Sequence, residues 1–135
     1  MNFKRYAVYY TPQDDLFYNL GSSWLGWDTV LRRPLSQPEI SNNINIEKIT
    51  ETPRKYGLHA TIKAPFRLSD GVCASELERQ LRTLCLSLKP IEFSLEVSEL
   101  NGFFAFTPTV KNTEIRELHT KVVRELDEFR APSTK

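Results

Sequence analysis

The pattern of apolar and polar residues in the amino-terminal part of the chain predicts a strand followed by a helix. Residues 5–10, RYAVYY, are mostly aromatic or β-branched and precede a proline, which is typical of a strand. Asp14 or Asp15 can then cap a helix. The apolar positions of that helix recur at helical spacing: Leu16, Phe17, Leu20 and Trp24. Because Gly21 and Gly26 interrupt the pattern, we expect the helix to fray before its tryptophan.

A second helix is predicted in the middle of the chain by its start signal. Ser75 and Glu78 have the spacing of a capping box, in which each side chain bonds the other residue's backbone N–H. The helix ends before Pro90. Its apolar stripe consists of Leu77, Leu81, Leu84 and Leu88. Cys85 lies beside this stripe and is interpreted as a small buried hydrophobe rather than a reactive thiol.

The residue pattern in the carboxyl-terminal third of the chain predicts a hairpin and a last helix. Residues 91–100 alternate apolar and polar side chains, which is typical of a half-buried antiparallel strand. Asn101 and Gly102 form a strong hairpin-turn signal before a strand over residues 103–110. Asn112 can cap the helix that follows. The apolar stripe of that helix consists of Ile115, Leu118, Val122, Leu126 and Phe129.

The predicted order is therefore strand, helix, long loop, strand, helix, hairpin and helix. The loop, residues 32–55, holds three prolines and few large apolar side chains, with room for one short helix. A loop of this length in a small domain is often functional, and a plain solvent-exposed connector is the alternative. Helices packed on one face of a small antiparallel sheet place the chain in the α+β class.

The composition argues against several classes of protein. The 135 residues carry 18 Lys and Arg against 17 Asp and Glu, so the net charge of +1 disfavours binding of nucleic acid by bulk electrostatics. No apolar run approaches the roughly 18 residues of a membrane helix. Cys73 and Cys85 form no disulfide framework, and two histidines would need carboxylates to complete a zinc site. We therefore expect a cytoplasmic protein of one domain, residues 1–135, with no metal and no membrane contact.

Candidate chemistry is concentrated in residues 56–66, YGLHATIKAPF. With a period of two, His59, Thr61 and Lys63 share one strand face, and the apolar residues between them face the other way. An imidazole, a hydroxyl and an ammonium in a row suit an anionic oxygen cluster such as a phosphate. A lone strand histidine is more often structural, so that interpretation of His59 stays open on the pattern alone.

Other polar residues favour ordinary structural roles. His119 flanks the apolar stripe of the last helix and is interpreted as a partly buried helix histidine. The segment WLGWD, residues 24–28, is either a plug that closes a cleft or the end of a helix packed on the sheet. Three arginines are candidate phosphate partners that the pattern does not rank: Arg5, Arg54 and Arg67.

Residues 53–68, PRKYGLHATIKAPFRL, resemble the two-histidine phosphoesterase superfamily, and more narrowly the branch encoded in bacterial phosphonate-metabolism operons. Four further segments resemble the same branch in the same order: RYAVYYTP, WLGWD, LNGFFAF and LDEFRAP. The resemblance implies an α+β fold of two similar lobes around a cleft. Each lobe supplies one His-x-Thr or His-x-Ser motif, and the substrates are cyclic or other phosphodiesters.

Carried onto this chain, the resemblance implies a role for four residues. His59 would be a general acid or base, and Thr61 would hold phosphoryl oxygens in the transition state. Lys63 and Tyr56 would contact the substrate. No metal or other cofactor is implied, and the expected partner is a small phosphorylated molecule such as a cyclic phosphodiester or a nucleotide.

The chain departs from this pattern because it holds no second His-x-Thr or His-x-Ser; His119 is followed by Thr120 and Lys121. We expect it to be the amino-terminal lobe of a truncated two-lobe protein, nearly inactive alone because one imidazole cannot act on both sides of a phosphorus. One alternative is a phosphate- or nucleotide-binding module without catalysis. The other is a homodimer formed through the surface that the missing lobe would cover. Such a dimer would bring two His59 side chains together across a shared cleft.

Overall fold

The computed structural model describes residues 3–12, 16–40 and 44–132. Asp14 and Asp15, the predicted caps of the first helix, lie outside these ranges. The helices are α1 Leu16–Leu25, α2 Ile46–Ile49, α3 Glu51–Arg54, α4 Ala74–Leu86 and α5 Thr113–Glu125, followed by a 3₁₀ turn at Asp127–Phe129. The strands are β1 Tyr6–Tyr10, β2 Trp27–Asp28, β3 Arg33–Pro34, β4 Ala60–Phe66, β5 Leu95–Leu100 and β6 Phe103–Pro108.

The described strands pair in twos: β1 with β4, β2 with β3, and β5 with β6. The last pair is an antiparallel hairpin in register from Leu95 opposite Pro108 to Leu100 opposite Phe103. Asn101 and Gly102 turn it with φ values of 55° and 81°, the left-handed conformations that a type I′ turn requires. The predicted turn and the predicted α+β class are both confirmed.

The chain divides into two compact units. Residues 8–61 form the small unit, and residues 1–7 together with 62–135 form the large unit. Strands β1 and β4 each contribute residues to both units. In the described part of the chain, no helix combines the length and the apolar character needed to cross a bilayer.

The core of the large unit is formed by side chains from β4, from α4, from α5 and from the residue that follows α5. Its buried apolar residues are Phe66, Leu77, Leu84, Val122 and Leu126. The predicted stripes of both helices therefore supply the core. Asn112 caps α5 as predicted, because its Oδ1 accepts a hydrogen bond from the Ile115 amide at 2.9 Å.

The start of α4 and the environment of its cysteine differ from the prediction. The residue before the helix is Cys73, whose amide donates to Glu76 Oε2 at 2.9 Å, so the capping interaction lies two residues earlier than Ser75 and Glu78. Cys85 is exposed rather than buried. Each helical residue turns about 100° from the last, and Leu84 already faces the core, so the next side chain points away.

Helix α1 continues through Gly21 to Leu25 instead of fraying earlier. Its buried residues are Tyr18 and Ser22, while the predicted apolar positions Leu16 and Leu20 are largely exposed. The Tyr18 hydroxyl donates to the buried Asp28 carboxylate at 2.6 Å. This hydrogen bond holds the face that carries Tyr18 and Ser22 inward, and Leu16 and Leu20 face solvent.

The long loop and the hairpin also differ from expectation. The segment 32–55 holds two short helices, α2 and α3, and one strand of the β2–β3 pair. The apolar face of β5 is exposed rather than half-buried, with Val97 66% exposed and its neighbour Leu95 42% exposed. In the described residues this face of the two-stranded ribbon remains open to solvent. His119, predicted to be partly buried, is exposed on α5.

Two leucines test the core of the large unit. Leu126 is fully buried and Leu86 is 85% exposed. We expect Leu126→Ala to lower the free energy of unfolding by about 2–5 kcal/mol, because it removes buried contacts and leaves a cavity. Leu86→Ala should change it by no more than about 0.5 kcal/mol. Urea denaturation of both variants checks this, and equal losses would contradict the described packing.

Candidate active site

His59 directly precedes β4, and its ring is half-buried in the small unit. Its Nδ1 lies 2.9 Å from the carbonyl oxygen of Gly57. A carbonyl oxygen can only accept a hydrogen bond, so Nδ1 carries the proton and donates it. In the neutral ring, Nε2 therefore holds the lone pair. This tautomer leaves Nε2 as the nitrogen that can accept a proton from a reacting group.

The rings of two tyrosines lie near this imidazole. The Tyr9 ring centroid lies 4.4 Å from that of His59 with the planes tilted by 51°, and the Tyr56 centroid lies 6.2 Å away with a tilt of 39°. Tyr56, predicted to bind substrate, is 59% exposed, and Tyr9 is 41% exposed. The structure therefore places Tyr56 beside His59. It adds Tyr9, which sequence reasoning missed because no local spacing connects β1 to residue 59.

Thr61 follows His59 by two residues, at the start of β4, and its side chain is exposed. Because Thr61 lies two residues after His59, an extended backbone that continued back to His59 would carry both side chains on one face. Both residues belong to the small unit. An imidazole nitrogen that accepts a proton and a hydroxyl that donates a hydrogen bond are the two groups the sequence pattern predicts here.

Lys63 belongs to the large unit and is 4% exposed. Its Nζ donates to the backbone carbonyl of Val123 at 3.0 Å and to Asp127 Oδ1 at 3.2 Å. It also lies 5.2 Å from the centroid of the Phe66 ring. Val123 is in the last turn of α5, where the helix dipole favours a cation. The chain itself thus holds the ammonium, and the predicted contact of Lys63 with a substrate stays a prediction.

Asp127 is shared between two cations. Arg130 donates to its two carboxylate oxygens at 2.7 and 3.1 Å, and Lys63 donates to one of them. The hydrogen bond from Arg130, and then the one from Lys63, lower the pKa of Asp127 from its ordinary 3.8 to about 2. The carboxylate is therefore ionised over the whole physiological range.

Asp28, in the WLGWD segment, is a buried carboxylate of the small unit. Its Oδ1 accepts hydrogen bonds from the Tyr18 hydroxyl at 2.6 Å, the Leu31 amide at 2.9 Å and the Val30 amide at 3.0 Å. The bond from Tyr18 is the main cause that lowers the pKa of Asp28. Trp24, from the same segment, is 44% exposed. The segment thus packs at the end of α1 and forms a turn.

Arg54, a candidate phosphate partner, is held by its own unit. Its guanidinium donates to the carbonyls of Leu25 at 3.0 Å and Glu47 at 2.7 Å, and to Thr50 Oγ1 at 2.9 Å. These bonds join the end of α1 to α2 and α3. The other two candidates, Arg5 and Arg67, are exposed.

Comparison with known proteins places the chain in a family. A family model described as "Protein of unknown function (DUF1045)" matches residues 61–135. The chain belongs to the DUF1045 family. The matched range of this DUF1045 chain includes Thr61 and Lys63 and begins two residues after His59.

Two curated relatives of the DUF1045 chain carry the name ribose 1,5-bisphosphate phosphokinase PhnN. The protein of Laribacter hongkongensis is 36% identical over 130 residues, which cover 96% of this chain and 32% of the relative. The protein of a Janthinobacterium species is 37% identical over 134 residues, which cover 96% of this chain and 30% of the relative. The chain thus spans about a third of the length of the curated relatives it matches. No solved structure matches it significantly.

The position of the proton on His59 can be measured directly. We expect the neutral ring to carry its proton on Nδ1, because Gly57 offers only an acceptor. Long-range ¹H–¹⁵N correlation spectra of the chain, recorded with the ring neutral, distinguish the two tautomers. His119, exposed on α5, serves as the internal reference. A His59 ring protonated mainly on Nε2 would contradict the described hydrogen bond.

The shared carboxylate of Asp127 predicts an acid-sensitive contribution to stability. Its pKa is about 2 in the folded chain and 3.8 ordinarily, so its stabilising effect is complete above about pH 4 and is lost as the pH falls toward 2. We expect the free energy of unfolding of Asp127→Asn to decrease less steeply over that pH range than the free energy of unfolding of the wild type. Glu128→Gln, a change at an exposed neighbour, should keep the wild-type slope. Identical slopes in Asp127→Asn and the wild type would count against the pairing.

Proposed function

We propose that this chain supplies one half of the active site of a phosphodiesterase, in which His59 transfers a proton and Thr61 binds a phosphoryl oxygen. The observation that supports this most is the hydrogen bond from His59 Nδ1 to the Gly57 carbonyl. It leaves Nε2 free to act as a general base on water or, when protonated, as an acid on a leaving oxygen. The chain then belongs to the two-histidine phosphoesterases that its HATIKAPF segment resembles.

The substrate we propose is a cyclic or other phosphodiester of a sugar phosphate. The relatives are named for a kinase that acts on ribose 1,5-bisphosphate, which favours phosphoryl chemistry on a ribose and a role connected with phosphonate metabolism. Thr61 would donate its hydroxyl to a phosphoryl oxygen as negative charge builds there. Tyr56 and Tyr9 would form the walls beside the reacting group.

A complete reaction needs a second proton-transfer group, because one imidazole cannot serve the attacking and the leaving oxygen at once. We propose that the full-length protein supplies that group outside these 135 residues. Lys63, held by Asp127 and Val123, would then act by fixing β4 rather than by touching the phosphate.

The test is hydrolysis of a ribose cyclic phosphate by the full-length protein. We expect His59→Ala to lower kcat by about 10²–10⁴-fold, because it removes a proton-transfer group. Thr61→Val, which keeps the shape but not the hydroxyl, should lower kcat by about 10²-fold, and Thr61→Ser should recover most of it. His119→Ala is the control and should leave the rate unchanged. Unchanged turnover in His59→Ala would refute the assignment.

A binding module without catalysis is the second candidate, favoured by the single His-x-Thr motif in these 135 residues. Calorimetry of the full-length protein with a cyclic nucleotide and with a ribose cyclic phosphate separates the two. Binding that His59→Ala weakens, with no turnover of either compound, would establish the module and exclude the enzyme.

A further inference from the structure

The turn formed by residues 27–31, here called the Asp28 turn, lies against the backbone that leads to His59. Its carboxylate, at Asp28, is 6% exposed and gathers three donors on one oxygen: the Tyr18 hydroxyl and the amides of Val30 and Leu31. Because these donors come from α1 and from the turn itself, the carboxylate holds the turn closed and ties it to the helix. The Asp28 turn is thus joined to α1 within the small unit.

Thr29, inside the Asp28 turn, touches Gly57. A Cβ placed on Gly57 would collide with Thr29 Oγ1 and would lie 3.2 Å from both Thr29 Cβ and Trp27 Cδ1. Gly57 has a φ of +71°, a left-handed conformation that side chains rarely allow. The close contact and the left-handed backbone both require glycine. The peptide whose carbonyl accepts the His59 proton is therefore pressed directly against the turn.

The residue between Gly57 and His59 is packed in the same way. A Cβ on Gly21 would lie 2.7 Å from Leu58 Cδ2, so the Leu58 side chain rests on the bare backbone of α1. The Gly57 amide also donates to the Pro53 carbonyl at 3.0 Å. The two residues before His59 are thus seated on α1, on the Asp28 turn and on α3, while the imidazole itself is only half-buried.

We propose that the Asp28 turn is a positioning element for His59 and acts through Gly57. The contact with Thr29 sets where the Gly57 carbonyl points, and that carbonyl fixes both the tautomer and the orientation of the imidazole. This assigns a role to the WLGWD segment and rests on the proposed function of His59. Gly57 and Thr29 are positioning residues, since neither is proposed to touch substrate.

The decisive experiment compares substitutions at two left-handed glycines. Gly57→Ala adds a methyl group that collides with Thr29, whereas Gly71→Ala meets nothing within 4 Å at a similar φ of +81°. Both glycines have a left-handed φ, so Gly71→Ala controls for a methyl group on such a backbone, and a Thr29→Ala background tests the contact itself. The readout is the tautomer of His59 by ¹⁵N spectroscopy on this chain, without substrate.

We expect Gly57→Ala to lower the Nδ1–H population of His59 and Gly71→Ala to leave it unchanged. The double variant Gly57→Ala/Thr29→Ala should recover part of that population, because the colliding hydroxyl is gone. Thr29→Ala alone removes this contact and, among the described residues, no hydrogen bond of Oγ1, so it should lower the Nδ1–H population by less than Gly57→Ala does. In the full-length enzyme, Gly57→Ala should lower kcat about ten- to a hundredfold with little change in KM and a displaced pH–rate profile.

A milder variant keeps the proposal falsifiable if Gly57→Ala does not fold. Thr29→Val replaces the hydroxyl in contact with Gly57 by a larger methyl group, and it should shift the tautomer in the same direction but less. An unmoved His59 tautomer in folded Gly57→Ala, or in Thr29→Val if the former is unfolded, overturns the proposal. So does an unchanged kcat and pH profile in Gly57→Ala.

The two proposals fail in different ways. Loss of activity in His59→Ala together with an unmoved tautomer in Gly57→Ala contradicts the positioning role alone. Full activity in His59→Ala contradicts the proposed function, and the tautomer measured in this chain then still decides whether the turn orients the ring.

Discussion

The charge of Lys63 is the constraint on which the large unit depends. An ammonium that is 4% exposed must be neutralised and hydrogen-bonded, because a buried unpaired charge is strongly unfavourable. Asp127 supplies the opposite charge and Val123 a carbonyl, so the middle of β4 can lie only where α5 ends. Two backbone hydrogen bonds join the segments that follow β4 and α5: the Ser69 amide donates to the Phe129 carbonyl, and the Ala131 amide donates to the Arg67 carbonyl.

The small unit fixes its histidine by a different means, which is close backbone packing instead of charge. Gly57 and Gly21 remove side chains where the chain must approach Thr29 and Leu58. The result is a carbonyl held in place before the strand begins, which accepts the imidazole N–H, and the rings of two exposed tyrosines lie near that imidazole. The candidate proton-transfer group therefore directly precedes β4, and a structural cation lies in the middle of that strand.

Local patterns predicted much of this structure. The strand at residues 6–10, the Asn101-Gly102 turn and the Asn112 cap depend on near neighbours, and all were predictable from spacing. Lys63 was assigned a face by alternation, but its partner is 64 residues away and no local pattern reveals it. The same limit hides Tyr9 beside His59 and Thr29 against Gly57, which are contacts between distant segments.

The β5–β6 hairpin exposes strand edges and apolar side chains through which chains can associate at high concentration. Among the described strands β5 pairs only with β6, so each has an outer edge whose backbone groups can pair with another chain. Exposed Val97 and Phe104 make its surface apolar, and a net charge of +1 gives little mutual repulsion between molecules. These features favour strand-to-strand association between chains, and a charged side chain at Val97 would oppose it.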